Sequence, residues 1–143
     1  MPTVTRTMIK TALAYVLLGV ALSTLWLIHL VRPLHPLLAH LQPTALHLIV
    51  VGWLTQLIFG VALWMFPVWS REQPRGPEGW IWASYGLLNA GLLLRLIAEP
   101  LNSYTPAAAL GVVLVGSSIL QVGAVAIFIG LIWPRVRPKA SAR

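Results

Sequence analysis

The chain of 143 residues contains no cysteine. Disulfides, thiolate metal sites, iron–sulfur clusters and cysteine nucleophiles are thereby excluded. It has no aspartate either, and its only acids are Glu72, Glu78 and Glu99. Hydrolytic dyads and triads that need aspartate have little to draw on, and neither G-x-S-x-G nor H-E-x-x-H occurs. Charged residues make up 9% of the chain, where a soluble domain carries roughly a quarter. A surface of the usual solvated kind cannot be built from this composition. No repeat, low-complexity segment or second domain is visible.

What the chain has instead is apolar length, with 58% hydrophobic residues. Four runs stand out: Met8 to Val31, about Pro43 to Trp69, about Gly79 to Asn102 and about Thr105 to Trp133. Each reaches the roughly 20 residues that cross a bilayer. In lipid every backbone polar group must be satisfied internally, so the runs are expected as helices. The fold class expected is all-α: one integral membrane four-helix bundle forming a single transmembrane domain over 1–143. Arg32-Pro33 ends the first helix and Pro43 suits the first turn of the second. Pro67 with SREQPRGPEG ends the second, Thr105-Pro106 is expected to cap the fourth, and Pro134 stops it. Trp26, Trp64, Trp69, Trp80, Trp82 and Trp133 lie near helix ends, as interfacial aromatics do. The first run follows Arg6 and Lys10 as a signal peptide would. Its apolar core is too long for one and no small-residue cleavage site follows, so it is expected to remain as a helix.

The net charge of +7 fits the flanks of membrane helices better than a nucleic-acid face, so no nucleic-acid partner is expected. Arg6, Lys10, Arg71, Arg75, Arg135, Arg137, Lys139 and Arg143 fall on one side of the expected topology; Arg32 stands alone on the other. That bias predicts cytoplasmic N- and C-termini, with the histidine-bearing loop outward, in a bacterial inner membrane or its equivalent.

The four histidines, His29, His35, His40 and His47, collect on the outward side. Arg95 and Glu99 join them in the outer half of the third helix. At about 1.5 Å per residue, Arg95 is roughly 10 Å and His47 roughly 6 Å below that surface. Ionisable residues inside a bilayer are rare and carry functional hypotheses. Plainer readings stand beside these: His29 with its ring among the headgroups, His35 and His40 as solvated loop residues, and His47 as a hydrogen-bonder within the bundle. Arg95 could snorkel outward or pair with Glu99 at i, i+4. Gln56, Asn89 and Gln121 fall near mid-membrane and suit interhelical amide bonds. Ala109, Gly116, Gly123 and Gly130, spaced by sevens, form a small-residue stripe on the fourth helix. Gly52 and Gly60 do something similar on the second, allowing close helix contact or room for a flat macrocycle.

An iron porphyrin in a bundle needs an axial imidazole, apolar walls and basic partners for its propionates. His47 is the candidate ligand, Gly52 would leave space, Trp53 and Phe59 would supply walls, and Arg95 could fork onto a propionate. A sixth ligand would come from His29 or from His47 of a second copy; Met8 and Met65 lie at the opposite end. The rival is a zinc or copper site drawn from His47, His29, His40, His35 and Glu99.

The stretch ALHLIVVGWLTQLIFGVALWMFP resembles helix two of subunit I of haem–copper oxygen and nitric oxide reductases. It is closer still to the short segments of the NnrS family and of small oxidase-subunit-I-like proteins. His47, Gly52, Trp53, Phe59, Gly60 and Pro67 carry the resemblance, and NAGLLLRLIAEP, Asn89 to Pro100, looks like the helix that follows. The resemblance covers about half the chain and implies that His47 ligates haem b near the outer surface. The later helices that supply the second haem ligand, the copper histidines and the catalytic haem in those subunits have no counterpart here. The expected function is a haem-b membrane protein for electron transfer or for binding a diatomic gas, NO or O2, at most one component of an oxidoreductase. It would work as a homo-oligomer or within a larger membrane complex. The alternative is a non-catalytic packing or assembly subunit, with or without a histidine-held metal.

Overall fold

A computed structural model describes residues 2–70 and 72–136. Arg71, Arg137, Lys139 and Arg143, which entered the charge count above, lie outside the described residues. Four helices are long and apolar enough to cross a membrane: α1 (Thr3–Val31), α2 (Gln42–Met65), α3 (Glu78–Tyr104) and α4 (Ala108–Ile132). The described residues contain no strand. A single 3-10 segment, Pro36–His40, bridges α1 and α2. The end of the bundle that holds this bridge is called the histidine end below; the other is the termini end.

The helix borders follow proline and backbone chemistry. Pro43 sits in the first turn of α2, where its missing N–H costs nothing. Thr105 does not cap α4. Its backbone is extended and its N–H closes α3 onto Leu101 O at 2.7 Å, while α4 begins only at Ala108. The residue before a proline is pushed out of helical geometry, so Thr105 ends one helix instead of starting the next. Pro100 lies inside α3 and leaves the Leu96 carbonyl without its i+4 donor.

α2 is not one regular helix. Gln42–His47 and Gln56–Met65 are α-helical, and Leu48–Thr55 between them is a π-helix. Thr55 Oγ1 donates to Val50 O at 2.9 Å across that wider turn. Such segments insert residues into a helix and recur at functional sites. Here the change begins immediately after His47. A π turn takes more residues than an α turn, so Gln56–Met65 is rotated about the axis relative to Gln42–His47.

Packing is pairwise: α1 runs along α2 and α3 along α4, with fewer contacts joining the two pairs. Glycines mark the closest approaches. A Cβ on Gly91 would stand 2.8 Å from Ser117 O on α4, and one on Gly19 would meet Ile49 at 2.7 Å. At the termini end Val4, Met8, Phe59, Leu63, Ile81, Phe128, Leu131 and Ile132 form a core from all four helices. Phe59 and Phe128 stack with centroids 3.6 Å apart. Arg135, only 2% exposed, closes this end. Its guanidinium donates to Pro67 O at 2.7 Å, Phe66 O at 2.8 Å and Leu63 O at 3.1 Å, satisfying carbonyls that the end of α2 leaves without helical partners.

Mid-bundle, a neutral layer ties three helices together. Tyr15 Oη donates to Asn89 Oδ1, Asn89 Nδ2 donates to Gln56 Oε1, and Gln56 Nε2 donates to Met8 O. The amides expected to bond across helices do so for Gln56 and Asn89. Gln121 stays on its own helix, against Ser117 Oγ at 3.4 Å.

Candidate functional site

Near the histidine end the two helix pairs are bridged by charge. Arg95 on α3 lies between α2 and α4, and each guanidinium nitrogen has a partner. Nη1 donates to Glu99 Oε1 and to His47 Nε2, both at 3.1 Å; Nη2 donates to Ser118 Oγ at 2.6 Å; Nε reaches Ser117 Oγ at 3.4 Å. Snorkelling toward the surface is therefore not what Arg95 does. It pairs inward, and Gly91, one turn earlier on α3, lets α4 approach closely enough for its serines to reach. The serines are held in turn: Ser117 donates to Gly91 O at 2.8 Å and Ser118 to Leu114 O at 3.0 Å.

Glu99 is buried and fully engaged. Besides Arg95 it accepts from Thr44 Oγ1 at 3.0 Å and faces His47 Nδ1 at 3.3 Å. A charge pair in an apolar bundle needs this completeness, because desolvation otherwise outweighs attraction.

These partners fix the tautomer of His47. Its Nδ1 lies 2.9 Å from Pro43 O and 3.3 Å from a Glu99 oxygen, both acceptors. Its Nε2 faces an arginine N–H, which can only donate. The proton thus belongs on Nδ1 and the lone pair on Nε2, an assignment made from hydrogen-bond partners. The side chain of His47 remains 33% exposed.

One turn below, α2 and α4 stand apart. Val51 and Thr55, at four-residue steps from His47, face Gln121, Val122, Val125, Ala126 and Ile129 across Leu88. The cleft encloses about 390 Å³, within the range of small-molecule sites. Its lining is mostly apolar, with Thr55 and Gln121 the polar members, and Val51 stands one helical turn from His47.

The other expected site residues go elsewhere. His29, His35 and His40 share a separate cavity of about 420 Å³ in the loop. His29 Nδ1 accepts from Leu34 N and His35 Nδ1 from Leu37 N, each at 3.2 Å. His35 and His40 flank Tyr104 at centroid distances of 6.4 and 6.2 Å. The metal set expected from all four histidines with Glu99 is not assembled: among the described residues no group of three or more such side chains could hold a metal ion. Gly52 does not open space for a macrocycle, because the Tyr15 ring fills it, 2.8 Å from where a Cβ would stand. Trp53 is half-buried in the π segment.

Sequence reasoning missed Thr44, Ser117, Ser118, Gly91 and Tyr15. The depth count that grouped Arg95 with His47 also brings Ser117 and Ser118 near that level, and would have found them had hydroxyls been included. The chain matches no protein-family model, no curated protein and no solved structure.

Proposed function

We propose that the chain is an integral membrane haem-b protein in which His47 is the axial ligand. The observation that carries this reading is the anchoring of His47 Nδ1 by the Pro43 carbonyl and the Glu99 carboxylate. Ligating histidines characteristically give their second ring N–H to a carbonyl or carboxylate, which fixes the tautomer and raises the basicity of the ligating nitrogen. In His47 that nitrogen is Nε2, which faces Arg95 one helical turn from Val51 on the wall of the α2/α4 cleft. The donor set fits a porphyrin on two further counts: apolar walls lie below the imidazole, and an arginine beside it can clasp a propionate.

Each residue then has a task. Glu99 and Pro43 orient His47. Ser117 and Ser118 hold Arg95 beside His47. Ligation through Nε2 would require Arg95 to give up its contact there, while its bond to Glu99 Oε1 could remain. The bound group would supply one-electron chemistry or a position for NO or O2. His29, the other candidate ligand of this chain, has its Nδ1 taken by the Leu34 N–H within the loop. A sixth ligand would be His47 of a second copy. The positive flanks favour cytoplasmic termini and an outward histidine end, as in a bacterial inner membrane.

An absorption spectrum of the purified protein, with and without dithionite, tests the reading. A Soret band that His47→Ala abolishes is expected. Haem-replete expression without any band overturns it.

A second reading, a non-catalytic packing subunit, is favoured by the open face of α4. A Cβ on Gly116 or Gly130 would meet nothing within 4 Å, leaving room for a neighbouring helix. Cross-linking in mild detergent that yields only monomers removes self-association through that face. Stoichiometric zinc or copper by mass spectrometry would favour a metal version instead.

A further inference from the structure

We infer that the loop histidines form an anion site, a cup that takes a phosphate-class oxyanion through imidazole N–H donors. His29, His35 and His40 line one cavity with Pro33, Leu34 and Ala39. Two of the three rings are oriented by the backbone: Leu34 N–H points at His29 Nδ1 and Leu37 N–H at His35 Nδ1. A nitrogen that accepts a backbone N–H carries no proton, so the ring proton is on Nε2. Both Nε2–H groups are therefore donors, and no described residue accepts from them. They cannot ligate a metal without first breaking the backbone bonds that shape the loop.

The third ring, His40, makes no hydrogen bond to a described residue and lies beside Tyr104. The surrounding charge has one sign. Residues 29–42 contain Arg32 and no acid, and residues 101–107 contain no charged side chain. The one acid near this end, Glu99, is taken by Thr44, Arg95 and His47. Imidazole donors with no competing carboxylate suit an oxyanion, and Arg32, next in sequence to Pro33 of the cavity wall, adds positive charge to this end. The cup follows directly on the end of α1, the level at which lipid phosphates would lie, so the phosphate could belong to a lipid headgroup or be free in solution.

The test uses the full chain, ring-labelled with 15N-histidine, in a phosphate-free maltoside micelle. Inorganic phosphate and a short-chain phosphatidylglycerol are titrated separately. Saturable shifts of the His29, His35 and His40 rings are expected, with His35→Gln/His40→Gln weakening the interaction about tenfold or more. Response to both probes assigns the site to lipid headgroups; response to inorganic phosphate alone assigns it to the free ion. No saturable shift with either probe overturns the proposal. So does stoichiometric zinc binding that moves the ring protons to Nδ1.

Discussion

His47 and His35 are the same residue put to opposite uses. In α2 the Nδ1 of His47 meets two acceptors; in the loop the Nδ1 of His35 meets a donor. The first arrangement leaves a lone pair on Nε2, the second leaves an N–H there. Position in the chain causes the difference. A helical histidine finds the carbonyl four residues back, whereas an N-cap histidine in an extended conformation finds the N–H two residues ahead. Ligand capacity thus belongs to the backbone context of each imidazole, and the four histidines do not form one pool.

The contrast can be broken most sharply by spectroscopy. His47→Ala is expected to remove all haem absorption, while His29→Ala, His35→Ala and His40→Ala leave it intact; loss on replacing a loop histidine would erase the distinction. Next in size is Glu99→Ala, which deprives Arg95 of its only carboxylate partner among the described residues and His47 of one anchor. Breaking such a buried pair costs about 3–5 kcal/mol, measured as reduced resistance to denaturation in detergent. The same change at exposed Glu72 is expected to shift stability by less than about 0.5 kcal/mol.

Gly91→Ala forces a Cβ to 2.8 Å from Ser117 O, and overpacking of this kind costs about 1–3 kcal/mol. Gly116→Ala, with nothing near its Cβ, should leave the melting temperature of the monomer unchanged; a drop would show that a neighbour occupies that face. Asn89→Ala acts in the neutral layer. Its bonds to Tyr15 and Gln56 are worth about 0.6 kcal/mol each, and haem absorption should be unaffected.

The helices were legible because long apolar runs leave the backbone one option. Of the candidate site, His47, Arg95 and Glu99 were legible because ionisable groups at one depth are rare. The rest turned on register. Whether Gly52 opens a space depends on which side chain of α1 lies opposite, and Tyr15 does. The serines that clasp Arg95 are ordinary in apolar helices until Gly91 brings α4 within reach. The cap assigned to Thr105 failed because Ser/Thr-Pro reads alike at a helix start and a helix end. The separation of the loop histidines from His47 depends on the path of residues 32–41, which no periodicity encodes.

Arg135 gives the bundle an order of completion. Its guanidinium holds three carbonyls at the end of α2, yet it is synthesised some seventy residues after them. During translation the first helix pair emerges with that end uncapped, and stays so until α3 and α4 have been made. The same side chain then ties the first pair to the second. Assembly is thus finished from the far end of the chain, and a ribosome that stops before Arg135 leaves the bundle unlatched.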